Sequence, residues 1–220
     1  MMKKYGVLLD LDGTLWDSSI SVAEAWTEKL KLMGLNQVVT TEEIASVMGL
    51  PMDEIAEILF ASEPKEQRIP LMEACCEYEN EYISHHGGRL YPGLVETLKK
   101  LHEDYLVAIV SNCQTGYIEA FIKYYHLEPY IDDLESYGST LRYKDENIRL
   151  VFDRNHLEKA VYVGDIDKDR QASEKAGLPF IFASYGMGEV EGTPRIDALD
   201  ELPQRVAEVL QVSAEPLKAE

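Results

Sequence analysis

Tyr5-Gly6-Val7-Leu8-Leu9-Asp10-Leu11-Asp12-Gly13-Thr14-Leu15 is the stretch on which the reading of this chain turns. An apolar run that ends in two carboxylates and a glycine reads as a buried strand stopping at a functional turn. On an extended chain residues i and i+2 point the same way, so Asp10 and Asp12 can address one small volume. Two carboxylates there repel each other and resist desolvation. They are tolerated with a cation, a shared proton or a special task. The end of this first strand is therefore a candidate for metal-dependent chemistry.

Outward from that turn the pattern becomes helical as far as about Gly88. Ser18 or Ser19 can cap a helix carrying Val22, Trp26, Leu30 and Met33 on one face, closed by Gly34. Thr40-Thr41-Glu42-Glu43 has the form of a capping box ahead of Ile44, Val47 and Met48. Pro51 opens a helix through Ile55, Ile58 and Leu59. A longer helix is expected from near Pro70 to His86, with Met72, Cys75, Cys76, Tyr82 and Ile83 on one face and Gly87-Gly88 as its stop.

From Tyr91 onward helix and strand alternate. Leu106 to Val110 is nearly continuous in apolar residues, as a strand buried on both faces requires. Ile131 to Ser136, Ala160 to Val163 and Phe180 to Ala183 are further strands. Helices are expected around Val95 to Leu101, over Thr115 to Tyr125, Asp145 to Asn155 and Lys168 to Ala176, and from Pro203 to Gln211. The chain from Ser213 reads as a loose tail. This order predicts an α/β fold: a doubly wound parallel sheet with an all-helical insertion after the first strand. The expected division is a core of residues 1–15 and 89–220 and a helical cap of residues 16–88.

The chain has 220 residues, 45% of them apolar, enough for one large domain with a smaller insert. Its formal net charge of −19 repels phosphodiester backbones and anionic lipid surfaces. Neither nucleic acid nor membrane is expected as a partner. The three cysteines, Cys75, Cys76 and Cys113, are odd in number and two are neighbours, which disfavours a disulfide framework and favours a reducing compartment. No export signal is expected behind the basic start, because the apolar run reaches Asp10 within a few residues. A cytoplasmic, soluble protein, monomer or homodimer, is expected.

In doubly wound sheets function gathers at the carboxyl ends of the strands. Four groups fall there. Asp10 and Asp12 end the first strand, and Ser111 and Asn112 end the second. Lys144 follows the third, and Gly164-Asp165-Ile166-Asp167-Lys168-Asp169 ends the fourth. Carboxylates, a hydroxyl and a lysine on one edge suit phosphoryl transfer. A phosphate ester repels nucleophiles until its charge is offset, and Mg²⁺ prefers hard oxygen ligands. Asp10 and Asp165 can supply two such ligands and the Asp12 carbonyl a third. Lys144 can neutralise phosphoryl oxygens and Ser111 can donate to another. Asp10 can then attack phosphorus to form an aspartyl-phosphate, while Asp12 protonates the leaving oxygen and later activates water.

These motifs resemble those of the haloacid dehalogenase superfamily of phosphohydrolases. Asp10-Leu11-Asp12-Gly13-Thr14-Leu15 is similar to its first motif. Ser111, Lys144 and Gly164-Asp165-Ile166-Asp167-Lys168-Asp169 follow as the second, third and fourth in the expected order. The helical insertion resembles the cap of the branch that includes phosphoglycolate phosphatases and beta-phosphoglucomutases. Tyr91-Pro92-Gly93 resembles the return from cap to core. The resemblance implies Asp10 as nucleophile, Asp12 as acid/base, and Asp165 and Asp169 holding Mg²⁺ directly or through water. It departs at the third motif: Tyr143-Lys144-Asp145 stands where relatives often have Gly-Lys-Pro, which leaves Arg142 as an alternative cation. Ile166 also replaces a small polar residue.

Each residue has a plainer reading. Asp165 can be a helix N-cap, Asp167 a cap or a solvated acid, and Asp17 a cap for the helix behind it. Asn112 can support Ser111, orient substrate or shape a turn. Cys75 and Cys76 read as core, and Gly186 and Gly188 as a flexible rim or a plain loop. The reading that unites the motifs is a Mg²⁺-dependent phosphatase of a small phosphorylated metabolite. A phosphosugar mutase using the same aspartate is the near alternative. A non-catalytic phosphate-binding or phospho-acceptor module is the alternative of another class.

Overall fold

The structure, a computed structural model, describes residues 3–211; the tail from Ser213 lies outside them. Strand β1 (Tyr5–Leu9) leads through the acidic turn into a short β2 (Trp16–Asp17) and then four helices, α1 (Ser19–Leu32), α2 (Thr41–Val47), α3 (Met52–Leu59) and α4 (Lys65–His86). The chain returns through β3 (Arg89–Leu90), α5 (Leu94–Asp104), β4 (Leu106–Ser111), α6 (Tyr117–Tyr125), β5 (Asp133–Ser136), α7 (Tyr137–Thr140) and α8 (Lys144–Arg154). It closes with β6 (Lys159–Gly164), α9 (Asp167–Ala176), β7 (Phe180–Ala183), β8 (Arg195–Ile196) and α10 (Leu202–Leu210).

The main sheet has the order β5-β4-β1-β6-β7-β8 and all its pairings are parallel. β1 lies at the centre, with Val7 opposite Val107 on one side and Val161 on the other. The chain builds outward from β1 to β4 and β5, then crosses back to place β6 on the opposite side of β1. That reversal opens a crevice at the carboxyl ends of β1, β4 and β6. Alternate side chains of the buried strands serve two separate cores. Val7, Leu9, Val107, Ile109, Val161 and Val163 face one layer with Leu98, Leu101, Phe121 and Val206. Leu8, Ala108, Val110, Ala160 and Tyr162 face the other with Ile148, Val151, Ala172 and Ala176.

The all-helical insertion is present, and a second, two-stranded sheet stands at both of its ends. Trp16 pairs with Leu90 and Asp17 with Arg89, antiparallel. Asp17 caps α1 as expected, accepting from the Ser19 amide (3.1 Å) and hydroxyl (2.6 Å). Trp16 is wholly buried against Phe121, Tyr117 and Tyr125 of α6, anchoring this ribbon to the core. The Thr40/Glu43 capping box is formed. Helix α4 begins at Lys65 rather than near Pro70. Pro70 sits in its second turn, where it removes one backbone hydrogen bond. The short β8 and α7 carry too few residues to show a period and were not anticipated. Among the described residues no helix is long and apolar enough to cross a membrane.

Candidate active site

The strand ends assemble the residues singled out from the sequence. Asp10, at the end of β1, donates its backbone N–H to the Val163 carbonyl of β6 (2.8 Å), so its Cα is fixed by the sheet. Its carboxylate meets those of Asp165 and Asp169, with one oxygen from each lying within 4.8 Å of the others, all three residues buried. Lys144, at the first position of α8, enters the cluster from the side. Its Nζ is 2.9 Å from Asp10 Oδ1 and 2.6 Å from Asp169 Oδ1. Arg142 is exposed on the preceding loop, so the lysine is the cation that reaches the acids.

Three carboxylates share this pocket with a single ammonium group. Burial, then the neighbouring Asp169, pushes Asp10 well above the usual carboxylate range. Asp165 is pushed up to about 7, by burial first and Asp169 second, against the Met187 N–H that donates to it at 2.7 Å. Burial alone would lower Lys144, but Asp10 and Asp169 outweigh it and hold the ammonium above its ordinary value. Asp10 Oδ1 is buried with no hydrogen bond, its approach to Lys144 lacking hydrogen-bond geometry. Excess negative charge and hard oxygen donors fit a divalent cation. Asp169 is the most fully used acid: Oδ2 accepts from the Asp165 and Ile166 amides (3.1 and 3.2 Å) while Oδ1 holds Lys144.

The carboxylate of Asp12 does not join this cluster. After Asp10 the backbone leaves the extended form, with the Thr14 and Leu15 amides both donating to the Leu11 carbonyl. Asp12 therefore faces the neighbouring cavity under the cap. Its Oδ1 accepts from Ser18 Oγ (2.7 Å) and Tyr117 Oη (2.9 Å), and Tyr117 Oη is also 2.8 Å from Ser18 Oγ. Burial raises Asp12 above its ordinary value, while those two hydroxyls pull the other way. Ser111, the buried last residue of β4, lines the same cavity. Asn112 reaches across to the cap, its Nδ2 donating to the Gly49 carbonyl at 3.0 Å.

Close backbone packing keeps the acids in place. Gly13 has φ +78° and a Cβ there would overlap the Asp165 carboxylate. Gly186, read from the sequence as rim or loop, packs its Cα against the same residue, and a Cβ would collide with Asp165 Cβ and the Gly13 carbonyl. Gly13→Ala therefore forces both an unfavourable φ and a steric clash. A loss of at least about 1–2 kcal/mol of stability is expected, read as a lower denaturation midpoint in urea.

A second expected result concerns pH. Asp165 at about 7 and Glu79 of α4 at about 8 are both raised chiefly by burial. Each holds its proton more tightly folded than unfolded, where carboxyls titrate near about 4. Their stabilising contribution is complete below that value and is lost as pH rises through about 7 and 8. The thermal midpoint of metal-free protein should therefore fall between about pH 5 and pH 9. A midpoint that rises over this interval contradicts the arrangement.

Sequence reasoning missed Tyr117 and Glu79. Tyr117 meets Asp12 across 105 positions of chain, which no local pattern reveals. Glu79 did leave a signal. It lies on the apolar stripe of α4 between Cys75, Cys76 and Ile83, and is buried with them. The cysteines are free and buried, and burial raises all three thiols, so none is a reactive thiolate.

A doubly wound sheet, a helical cap and an acid cluster around a buried lysine at the strand ends define a capped α/β enzyme. The chain belongs to the haloacid dehalogenase-like hydrolase family, whose model matches residues 7–183. It is 28% identical over 206 residues to a phosphoglycolate phosphatase of Rhodobacter capsulatus, covering 90% of this chain and 89% of that one. Its fold is similar to a haloacid dehalogenase-like hydrolase of Streptococcus pneumoniae, with TM-score 0.76 and 22% identity over 91% of this chain and 97% of that one. It is likewise similar to CbbY of Rhodobacter sphaeroides in complex with xylulose-(1,5)bisphosphate, with TM-score 0.75 and 18% identity over 91% and 96%.

Proposed function

We propose that this protein is a Mg²⁺-dependent phosphatase that hydrolyses a small phosphorylated metabolite through an aspartyl-phosphate on Asp10. The observation that carries this reading is the buried Asp10 carboxylate beside Lys144, Asp165 and Asp169 at the strand ends. Asp10, Asp165 and the Asp12 carbonyl are the ligands for the cation, with Asp169 acting directly or through water. When bound, the cation supplies charge neutralisation to the phosphoryl group.

A carboxylate oxygen of Asp10 attacks phosphorus, and the bond from phosphorus to the alcohol oxygen breaks. Asp12 gives its proton to that oxygen; a carboxyl raised by burial and steadied by Ser18 and Tyr117 suits the task. Asp12 then takes a proton from water, which attacks the phosphorus and frees Asp10. Lys144 and Ser111 hold the phosphoryl oxygens, while Asp169 keeps Lys144 in place. Asn112 ties the site to the cap through Gly49. The division into a core of residues 1–15 and 89–220 and a cap of residues 16–88 belongs to this proposal, with the β2–β3 ribbon as the joint. Closure of the cap excludes bulk water from the acyl-phosphate.

The direct test is phosphate release from an aryl phosphate with Mg²⁺ and after chelation. Release that needs the metal is expected. Equal rates in both conditions overturn the metal-dependent reading.

A further inference from the structure

Between cap and core lies a cavity of about 40 Å³ that begins at Asp12 and Ser111 and runs under α1, α2, α3 and α4. In the measure by which one water takes about 10–15 Å³, it holds a group of only a few heavy atoms. Its walls are mainly apolar, with Trp26, Met48, Met52 and Ile55 among them. Among the described residues no lysine, arginine or histidine lines it. The carboxyl groups that face it are Asp12 at the reacting end and Glu79 on the cap side. Glu79 is 4% exposed, accepts from the indole N–H of Trp26, and has no ion-pair partner among the described residues.

This cavity adjoins both the acid/base Asp12 and the Ser111 hydroxyl that holds the phosphoryl group, so it is where the alcohol part of an ester would sit. A carboxylate or second phosphate placed there would lose its water and meet a mainly apolar wall with no cation among the described residues. Desolvated anions need a paired charge. An uncharged group of a few carbons fits, with a polar atom toward Glu79 if it carries one.

Taking the phosphatase reading as its basis, we infer that the substrate is the phosphate monoester of a small, uncharged, mainly apolar alcohol, and that Glu79 is a specificity-determining residue against anionic alcohols. This separates the protein from the relatives whose names specify phosphoglycolate. The other place for an anionic tail is the outer seam, lined by Lys168 and Lys175 beside Glu54, Asp145 and Glu146. Lys168 already faces Glu54 across that seam at 3.5 Å.

The test compares propyl phosphate with 2-phosphoglycolate in two ways. With Mg²⁺ and the wild-type protein, kcat/KM for propyl phosphate should exceed that for 2-phosphoglycolate by about tenfold or more. Calorimetric titration of both esters into Asp10→Asn should give the same order of affinity without needing turnover. Preference for 2-phosphoglycolate in either measurement overturns the inference and moves the alcohol to the seam. Absence of release from these esters and from aryl phosphate overturns the phosphatase reading itself, while the titration still ranks the cavity. Glu79→Gln keeps the size of the side chain and removes the charge that Glu79 carries above about pH 8, so at about pH 9 the ratio should shift several-fold toward 2-phosphoglycolate. An unchanged ratio removes Glu79 as a determinant.

Discussion

Asp10→Asn should lower phosphatase turnover by roughly 10⁴–10⁶-fold, the range in which loss of a nucleophile is measured in other covalent hydrolases. The side chain keeps its size, and the backbone bond from Asp10 to Val163 is untouched, so the sheet edge should hold. What disappears is the carboxylate that attacks phosphorus. The measurement is steady-state release with Mg²⁺, alongside thermal unfolding to show that the fold is retained. A variant that retains more than a few per cent of wild-type turnover while remaining folded removes Asp10 as nucleophile.

Lys144→Met should have the largest effect on stability. The ammonium is the cation set between Asp10 and Asp169, and all three residues are buried. Removing one partner of a buried ion pair leaves uncompensated charge, at a cost of about 3–5 kcal/mol. In a chain of this size each kcal/mol moves the thermal midpoint by about 2–4 °C. A fall of roughly 6–20 °C in metal-free protein follows from the two ranges. Added Mg²⁺ should recover part of it, since a second cation then neutralises the acids. Arg142→Ala, on the exposed loop, should leave the midpoint nearly unchanged. Equal midpoints for Lys144→Met and wild type contradict the electrostatic account of the cluster.

The sheet and the strand-end acids were legible because both rest on short-range rules. The strand Leu106–Ser111 is almost entirely apolar, and such a run has few alternatives to a strand covered on both faces. Asp10 and Asp165 directly follow their strands, Ser111 ends one, and Lys144 opens the helix after β5, so a parallel sheet brings them to one edge. The orientation of Asp12 was not legible. The i, i+2 rule holds only while the chain stays extended, and the turn at Leu11 sends this carboxylate to the cavity instead. Tyr117, Gly186 and Glu79 owe their places to contacts between distant segments. Glu79 in particular looks like one acid among forty acidic residues until the helix face that buries it is known.

The measurement that tests the central claim most directly is acid quenching during turnover with Mg²⁺, followed by mass spectrometry of proteolytic peptides. One phosphoryl group is expected on the peptide that carries Asp10, labile to hydroxylamine and absent from Asp10→Asn. Turnover with no phosphorylated peptide, or with the phosphoryl group on another residue, would contradict it.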